Sequence, residues 1–403
     1  MKIKNLYIQE FKGLRDISIN FEKNDESLDL VVLAGSNGSG KTRILESIKD
    51  YFESYIDIQA IKIINNLQIF FEKEEKECID KIGSEKYFYN TLKYFSLKKE
   101  NLNDSSYLVI KKNLLILPKI IYVPTEINFQ KMNTASTTLV QEYKFINIVN
   151  TNLIKDIPSY IATKMISAML KNKNEKVGDI QKKVFDEING IFDILDMDTR
   201  LIGMSTTTEI LPIFTNSAGD EFDINELSSG EKQLFLRTLA IKMLNPENSI
   251  ILIDEPELSL HPKWQQRIVD VYKKIGKNNQ IIIATHSPHI LGSVKKENIM
   301  LLDKNEDGKI VVRTGDELYD SYGQPTERIL EDIMGLKTTR NQEIFDKLEK
   351  IREMVNEDKY ETDNFKKEYG DLKEILGTMD EDIMLIDMEI QIRRKGLKNV
   401  KNK

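Results

Sequence analysis

The eight residues Gly35-Ser36-Asn37-Gly38-Ser39-Gly40-Lys41-Thr42 constrain this chain more than any other stretch. Their spacing, G-x-x-x-x-G-K-[ST], is that of a phosphate-binding loop, a motif that depends on its flanks. Before it, residues 28–34 (Leu-Asp-Leu-Val-Val-Leu-Ala) read as a buried strand; after it, Arg43-Ile44-Leu45-Glu46-Ser47-Ile48 reads as the first turns of a helix. Strand, glycine turn and helix N-terminus together make an anion site. The glycines let backbone N–H groups face phosphate oxygens, and the helix end adds partial positive charge. The spacing assigns Lys41 to the β- and γ-phosphates and the Thr42 hydroxyl to Mg²⁺. Residues 35–43, Arg43 included, are the expected nucleotide contacts.

Two further apolar runs follow late in the chain. Residues 249–253 (Ser-Ile-Ile-Leu-Ile) end in Asp254-Glu255, and residues 280–284 (Gln-Ile-Ile-Ile-Ala) end in Thr285-His286. Continuous apolar runs of this length fit strands buried on both faces of a parallel sheet. Ligands of such sheets bind at the carboxyl ends of the strands, where Asp254, Glu255, His286 and the loop after Ala34 all fall. The set suits ATP hydrolysis. Thr42 and Asp254 supply oxygen ligands for Mg²⁺. Glu255 is placed as the base that activates water, and His286 as a polar sensor of the γ-phosphate. Lys41, Glu255 and His286 are therefore the expected catalytic residues.

The rest of the chain reads in blocks. Residues 1–34 look like two or three strands, with Ile17, Ile19 and Phe21 alternating with Ser18 and Asn20. The loop helix runs to about Tyr55. Residues 56–118 are less regular: the apolar residues of 57–78 support neither period cleanly, 70–94 is a candidate helix, and 107–110 and 114–117 are candidate strands. Residues 119–124 read as a strand stopped by Pro124, 139–170 as helical, and 180–195 as another helix. Residues 200–203 and 210–214 look like a strand pair leading back. Glu226-Leu227-Ser228-Ser229-Gly230-Glu231-Lys232-Gln233 opens a helix with Ser228 or Ser229 as cap. Over 341–390 the chain carries 16 acidic and 7 basic residues, a net of −9, and three apolar stripes at helical spacing. The acidic face reads as solvated. Residues 391–403 hold 6 basic residues and no acidic one, and read as a disordered tail.

Composition narrows the alternatives. A net charge of −7 over 403 residues is not that of a generic nucleic-acid-coating protein, so nucleic-acid contact would need a local patch. With neither an N-terminal apolar segment nor an apolar run long enough for a bilayer, a cytoplasmic protein without a membrane is expected. The single cysteine, Cys78, allows no internal disulfide and reads as a small hydrophobe. His261, His286 and His289 show no metal-ligand spacing, so no zinc site is expected.

These motifs resemble the Walker A, signature, Walker B, D-loop and H-loop of an ABC-type ATPase. They are residues 35–42, Leu227-Ser228-Ser229-Gly230-Glu231-Lys232-Gln233, Ile250 to Glu255 with Pro256-Glu257-Leu258-Ser259-Leu260-His261-Pro262, and Ala284-Thr285-His286-Ser287. The variant is that of the soluble ATPases around the RecF, SMC and overcoming-lysogenization-defect groups (the AAA family in the broad sense). The resemblance is strong over 1–55 and 200–305 and weak over 60–200. It implies an α/β fold: an ABC-ATPase head with a mostly parallel sheet and N-terminal antiparallel strands, an inserted mainly helical lobe and C-terminal helices. The implied division is 1–59 with Walker A, 60–200 the inserted lobe of mixed strand and helix, 201–318 the second part of the head, and 319–403 a helical region for partner docking with a basic tail. In this superfamily two heads sandwich two ATP molecules, so Ser229, Gly230 and Glu231 would serve the nucleotide of a second copy, in a dimer or a higher assembly. His261 would then lie near the dimer contact. A glutamine loop is also implied, with Gln130 the nearest candidate Mg²⁺ contact.

Residues 322–335 (Tyr-Gly-Gln-Pro-Thr-Glu-Arg-Ile-Leu-Glu-Asp-Ile-Met-Gly) resemble the ATPase subunit of Septu-type anti-phage systems and their retron-associated relatives. That resemblance implies an ATP-hydrolysing subunit that senses infection and controls a separate HNH nuclease. DNA, or a retron reverse transcriptase with its msDNA, is a further partner of such systems. A RecF- or SMC-like DNA-repair ATPase is the alternative, but 60–200 sustains no heptads. A transporter subunit fits less well, given the long stretch between Lys41 and Leu227. A fused Toprim nuclease finds no buried strands ending in paired carboxylates over 306–403.

Overall fold

The apolar runs have almost no polar position to turn toward water, and the fold buries them whole. The computed structural model describes residues 1–54, 64–70, 117–132, 143–205, 210–305 and 307–401, with positions 76, 77, 80 and 92. By packing the chain divides into two units, Met1–Ile329 and Leu330–Lys403.

The first unit opens with β1 (Lys2–Phe11) and β2 (Leu14–Asn20), which pair antiparallel; β6 (Ile64–Phe70) flanks β1 on its other side. A short hairpin, β3 (Glu22–Lys23) and β4 (Glu26–Ser27), leads into β5 (Leu30–Gly35) and then α1 (Lys41–Ser54). Next come β7 (Ile120–Val123), β8 (Ile146–Ile148), α2 (Thr151–Lys155), α3 (Ile157–Lys171) and α4 (Val177–Asn189). A small antiparallel sheet follows, made of β9 (Arg200–Met204), β10 (Pro212–Thr215) and β11 (Glu221–Asp223). Later elements of this unit include α5 (Ser229–Met243), β12 (Ile250–Asp254), α6 (Pro262–Gln265), α7 (Ile268–Lys273), β13 (Gln280–Ala284), α8 (Pro288–Leu291), β14 (Ile299–Lys304) and β15 (Ile310–Thr314).

Among the described residues the main sheet has seven strands in the order β15-β14-β5-β13-β12-β7-β8, parallel except for β15. Every residue of β5, β7, β12 and β13 is buried. β13 lies between the phosphate-loop strand and the carboxylate strand. Ala284 stands opposite Leu33 on one side and Asp254 on the other, which brings the three carboxyl ends level. The amide of Gln280, buried at the start of β13, fastens the N-terminal sheet to this one. It accepts from Ile3 N (2.7 Å) and donates to the carbonyls of Ile3 and Leu28 (2.9 Å each). A buried polar group with each partner met anchors one geometry without a desolvation cost left open.

Two expectations from the sequence are corrected. Part of 139–170 is not helix: residues 146–148 form the edge strand β8, parallel to β7. The run Tyr143-Lys144-Phe145-Ile146-Asn147-Ile148-Val149 is rich in aromatic and β-branched residues and finds an open strand edge, which outweighs a weak helical pattern. Helix begins only at Thr151, where the Asn150 side chain caps it by accepting from Leu153 N. The candidate helix 70–94 and candidate strands 107–110 and 114–117, like Cys78, lie almost wholly outside the described residues.

The second correction concerns the tail. The second unit holds α9 (Gln342–Asn356), α10 (Asp363–Leu376) and α11 (Glu381–Lys401). Its own core joins Leu348, Ile351, Val355, Phe365, Tyr369, Leu372, Ile383, Ile386 and Ile390. α11 runs on through the basic residues. Acidic residues, Glu381 and Asp382, stand in its first turn, the sign a helix dipole favours there. Part of the acidic face is also tied internally: Arg340 to Asp380 and Asp382, Arg352 to Asp382, Lys373 to Asp387. Among the described residues no helix is long and apolar enough to cross a membrane.

Candidate active site

The site is built where β5, β13 and β12 end. Three glycines give the loop its shape, at φ 144° (Gly35), 77° (Gly38) and 99° (Gly40). Two of them are also spatially required. A Cβ on Gly35 would lie 2.3 Å from the Leu302 carbonyl oxygen, and one on Gly40 2.6 Å from a Leu14 methyl. Gly35→Ala is therefore expected to destabilise the protein by about 3 kcal/mol, combining backbone strain with overpacking against main chain, and to abolish nucleotide binding. Urea unfolding and a fluorescent-nucleotide titration check both.

Ser36, Asn37 and Gly38 are exposed at the tip of the loop, while Ser39, Gly40 and Lys41 are buried. Lys41 Nζ donates to the carbonyls of Gly35 (2.8 Å) and Ser36 (3.0 Å), so the ammonium lies across the loop's own backbone. Burial pulls its pKa down, against the pull of Glu255, Glu257 and Asp254. The Ser39 hydroxyl is buried without a partner, a donor free for a ligand oxygen. Arg43 is exposed, beside Gly13.

Asp254 is held by two hydroxyls. Thr42 donates to its Oδ1 at 3.0 Å and Thr125 to its Oδ2 at 2.8 Å. Burial pushes its carboxyl above the usual range, while these two hydrogen bonds favour the charged form. A hydroxyl and a carboxylate oxygen this close make a hard-oxygen pair that fits Mg²⁺, a cation usually held by one or two protein oxygens together with substrate phosphates. No group of three His, Cys, Asp or Glu side chains among the described residues could hold a metal alone.

Glu255 follows in a left-handed conformation (φ 44°), its N–H donating to the Ala284 carbonyl at 2.9 Å. Its Oε1 lies 3.5 Å from Nδ1 of His286. Glu257 fixes the His286 segment from below: its Oε1 accepts from the Thr285 hydroxyl (2.7 Å) and from His286 N (2.9 Å). The imidazole is half exposed at the mouth of the site. Lys41, Thr42, Asp254, Glu255 and His286 are thus gathered in one place, with two residues the sequence did not disclose. Thr125 carries no motif, and Glu257 stands in the D-loop stretch with no assigned role.

Other expected residues lie apart. Gln130 is exposed, while Thr125 in the same loop reaches Asp254. Ser229 is exposed at the start of α5 and Gly230 is buried, where a Cβ would lie 2.8 Å from the Ser259 carbonyl oxygen. Glu231 closes a capping box: its N donates to Ser228 Oγ (3.3 Å) and its Oε2 accepts from Ser228 N (3.0 Å). Burial opposes its charge, but hydrogen bonds from Ser228 and Thr199 prevail and hold its carboxyl below the usual range. Among the described residues no hydrogen bond or ion pair joins 228–231 to the loop 35–42. His261 caps α6 by accepting from Lys263 N, and His289 stands 3.5 Å from the Thr326 hydroxyl, away from the loop.

Known proteins align with this arrangement. The family model described as "AAA domain, putative AbiEii toxin, Type IV TA system" matches residues 109–292. The Septu protein PtuA of Bacillus thuringiensis is 27% identical, over 89% of this chain and 91% of that protein. The Retron Vc95 probable ATPase of Vibrio cholerae serotype O1 biovar El Tor is 26% identical over 75% of this chain and 74% of its own length. The Retron Ec83 probable ATPase of Escherichia coli is 28% identical over 45% of this chain and 35% of its own. The chain is an ATPase with a P-loop fold. The family match takes in Thr125, α5, β12 and β13 of the ATPase, the elements that complete the site opposite the phosphate loop.

Proposed function

We propose that this ATPase is the nucleotide-switched subunit of an anti-phage complex, closing pairwise around two ATP molecules and controlling an HNH nuclease partner. The observation that carries this reading is the likeness to Septu PtuA along nearly the full length of both chains. In the reading, Lys41 and the backbone of 35–42 bind the phosphates, with Arg43 beside them. Thr42 and Asp254 would hold Mg²⁺, which would supply positive charge beside the phosphates. Thr125 keeps the Asp254 carboxylate turned to that position. Glu255 orients and deprotonates the attacking water, and His286 reads the γ-phosphate from the neighbouring strand end. Ser229 and Gly230 of a second copy complete the site, and Glu231 shapes that helix end through its capping box rather than touching nucleotide.

Phage challenge tests the role. Cells carrying this chain together with an HNH nuclease partner are expected to lose protection on Lys41→Ala. Equal plaque numbers with and without the substitution would remove the ATP switch from the defence reading. The C-terminal unit is the proposed docking element. Truncation after Lys337 is expected to leave ATP turnover within about twofold, since the site lies in the first unit, and to abolish co-purification of the nuclease. A nuclease that still co-purifies assigns docking elsewhere.

A further inference from the structure

Among the described residues Arg237 is the largest fully buried side chain, 1% exposed, two turns into α5. Among the described residues it forms no ion pair. Its guanidinium meets backbone carbonyls instead. Nη1 donates to Glu255 O at 3.4 Å; Nη2 donates to Asp254 O at 3.3 Å, to Thr125 O at 3.4 Å and to Pro124 O. One planar fork thus ties α5 to the end of β12 and to the loop after β7. A lysine, with a single point of charge, could not span these positions. A buried charge without a carboxylate partner is costly where an apolar side chain would pack as well, so a packing role alone does not account for it.

What the fork holds is informative. Glu255 has a left-handed φ, which a non-glycine residue keeps only where its surroundings over-determine it. Its N–H is fixed by Ala284 and its carbonyl by Arg237. Thr125, whose hydroxyl holds Asp254, has its own carbonyl on the same guanidinium. The other end of α5 carries Ser229 and Gly230. We infer that Arg237 is a positioning residue that seats Glu255 and Thr125 on the signature helix, so that turnover within one chain depends on how that helix is seated. This rests on the reading of Glu255 as the base.

The test uses the full-length protein with Arg237→Met, Arg237→Lys and Glu255→Gln. For Arg237→Met, kcat is expected to fall about tenfold to a hundredfold, the scale of a misplaced catalytic group, with KM changed less than about threefold. Assembly induced by a non-hydrolysable ATP analogue should persist. Arg237→Lys should recover kcat only in part, and it carries the test if Arg237→Met does not fold. A folded variant with wild-type kcat overturns the inference. So does one that loses nucleotide binding and assembly together with turnover, because that is the signature of a merely structural residue. Glu255→Gln separates the two readings: if it keeps turnover, the base assignment fails; if it loses turnover while Arg237→Met and Arg237→Lys keep it, only the positioning role fails.

Discussion

Glu255→Gln is expected to lower ATP turnover at least about a hundredfold, the contribution typical of a general base, while leaving nucleotide affinity close to normal. The substitution keeps the size of the side chain and its approach to His286 Nδ1 but removes the proton acceptor. It leaves Lys41, Thr42 and Asp254 in place, so ATP should bind and the closed pair should persist. Phosphate release and size-exclusion chromatography in ATP and Mg²⁺ measure both halves of the expectation. Unchanged hydrolysis would move the base elsewhere; lost turnover with no gain in assembly would separate hydrolysis from release of the pair. The backbone at this position sharpens the case. A left-handed glutamate at the end of a wholly buried strand costs about 1–3 kcal/mol, and such cost is retained where it aims a side chain.

The fold was readable where side-chain pattern and chemistry agree. β5, β12 and β13 are apolar throughout because both faces are covered, and each ends in the residues that a strand-end site uses. The mostly parallel sheet with an antiparallel N-terminal layer and C-terminal helices follows from those runs together with the family resemblance. β8 was not readable, because three residues on a sheet edge carry too little period to separate from helix. Thr125 was hidden for another reason. A threonine after a proline is a common loop pair, and only the register of β7 against β12, with Val123 opposite Ile253, brings its hydroxyl to Asp254. Arg237 was hidden because an arginine in a helix ordinarily faces water. α5 is instead buried continuously from Gln233 to Ile241, so its arginine has to find partners inside. Gln130 was set on the nearest loop position from a family pattern; it is exposed, while Thr125 of the same loop reaches Asp254.

Among the described residues Ser229 makes no hydrogen bond or ion pair with the phosphate loop, and this bears on the second large effect. Ser229→Arg is expected to reduce turnover about a hundredfold or more while changing the same chain's affinity for ATP less than about threefold, the pattern expected when an interaction is used only in the assembled transition state. The position is exposed at the first turn of α5, so an arginine can be accommodated in the isolated chain. In a pair, a long cation would stand where a small hydroxyl is needed against a second chain's γ-phosphate. Mixing Ser229→Arg with Lys41→Ala gives the decisive form of the measurement. Each variant alone should be inactive. Random pairing makes half the pairs mixed, and each mixed pair holds one intact site, so turnover should return to about a quarter of normal in a two-fold assembly. Full activity of Ser229→Arg on its own would mean that each chain completes its site unaided. Recovery in the mixture would mean that the loop 35–42 and the helix beginning at Ser229 are halves of one site carried on two copies.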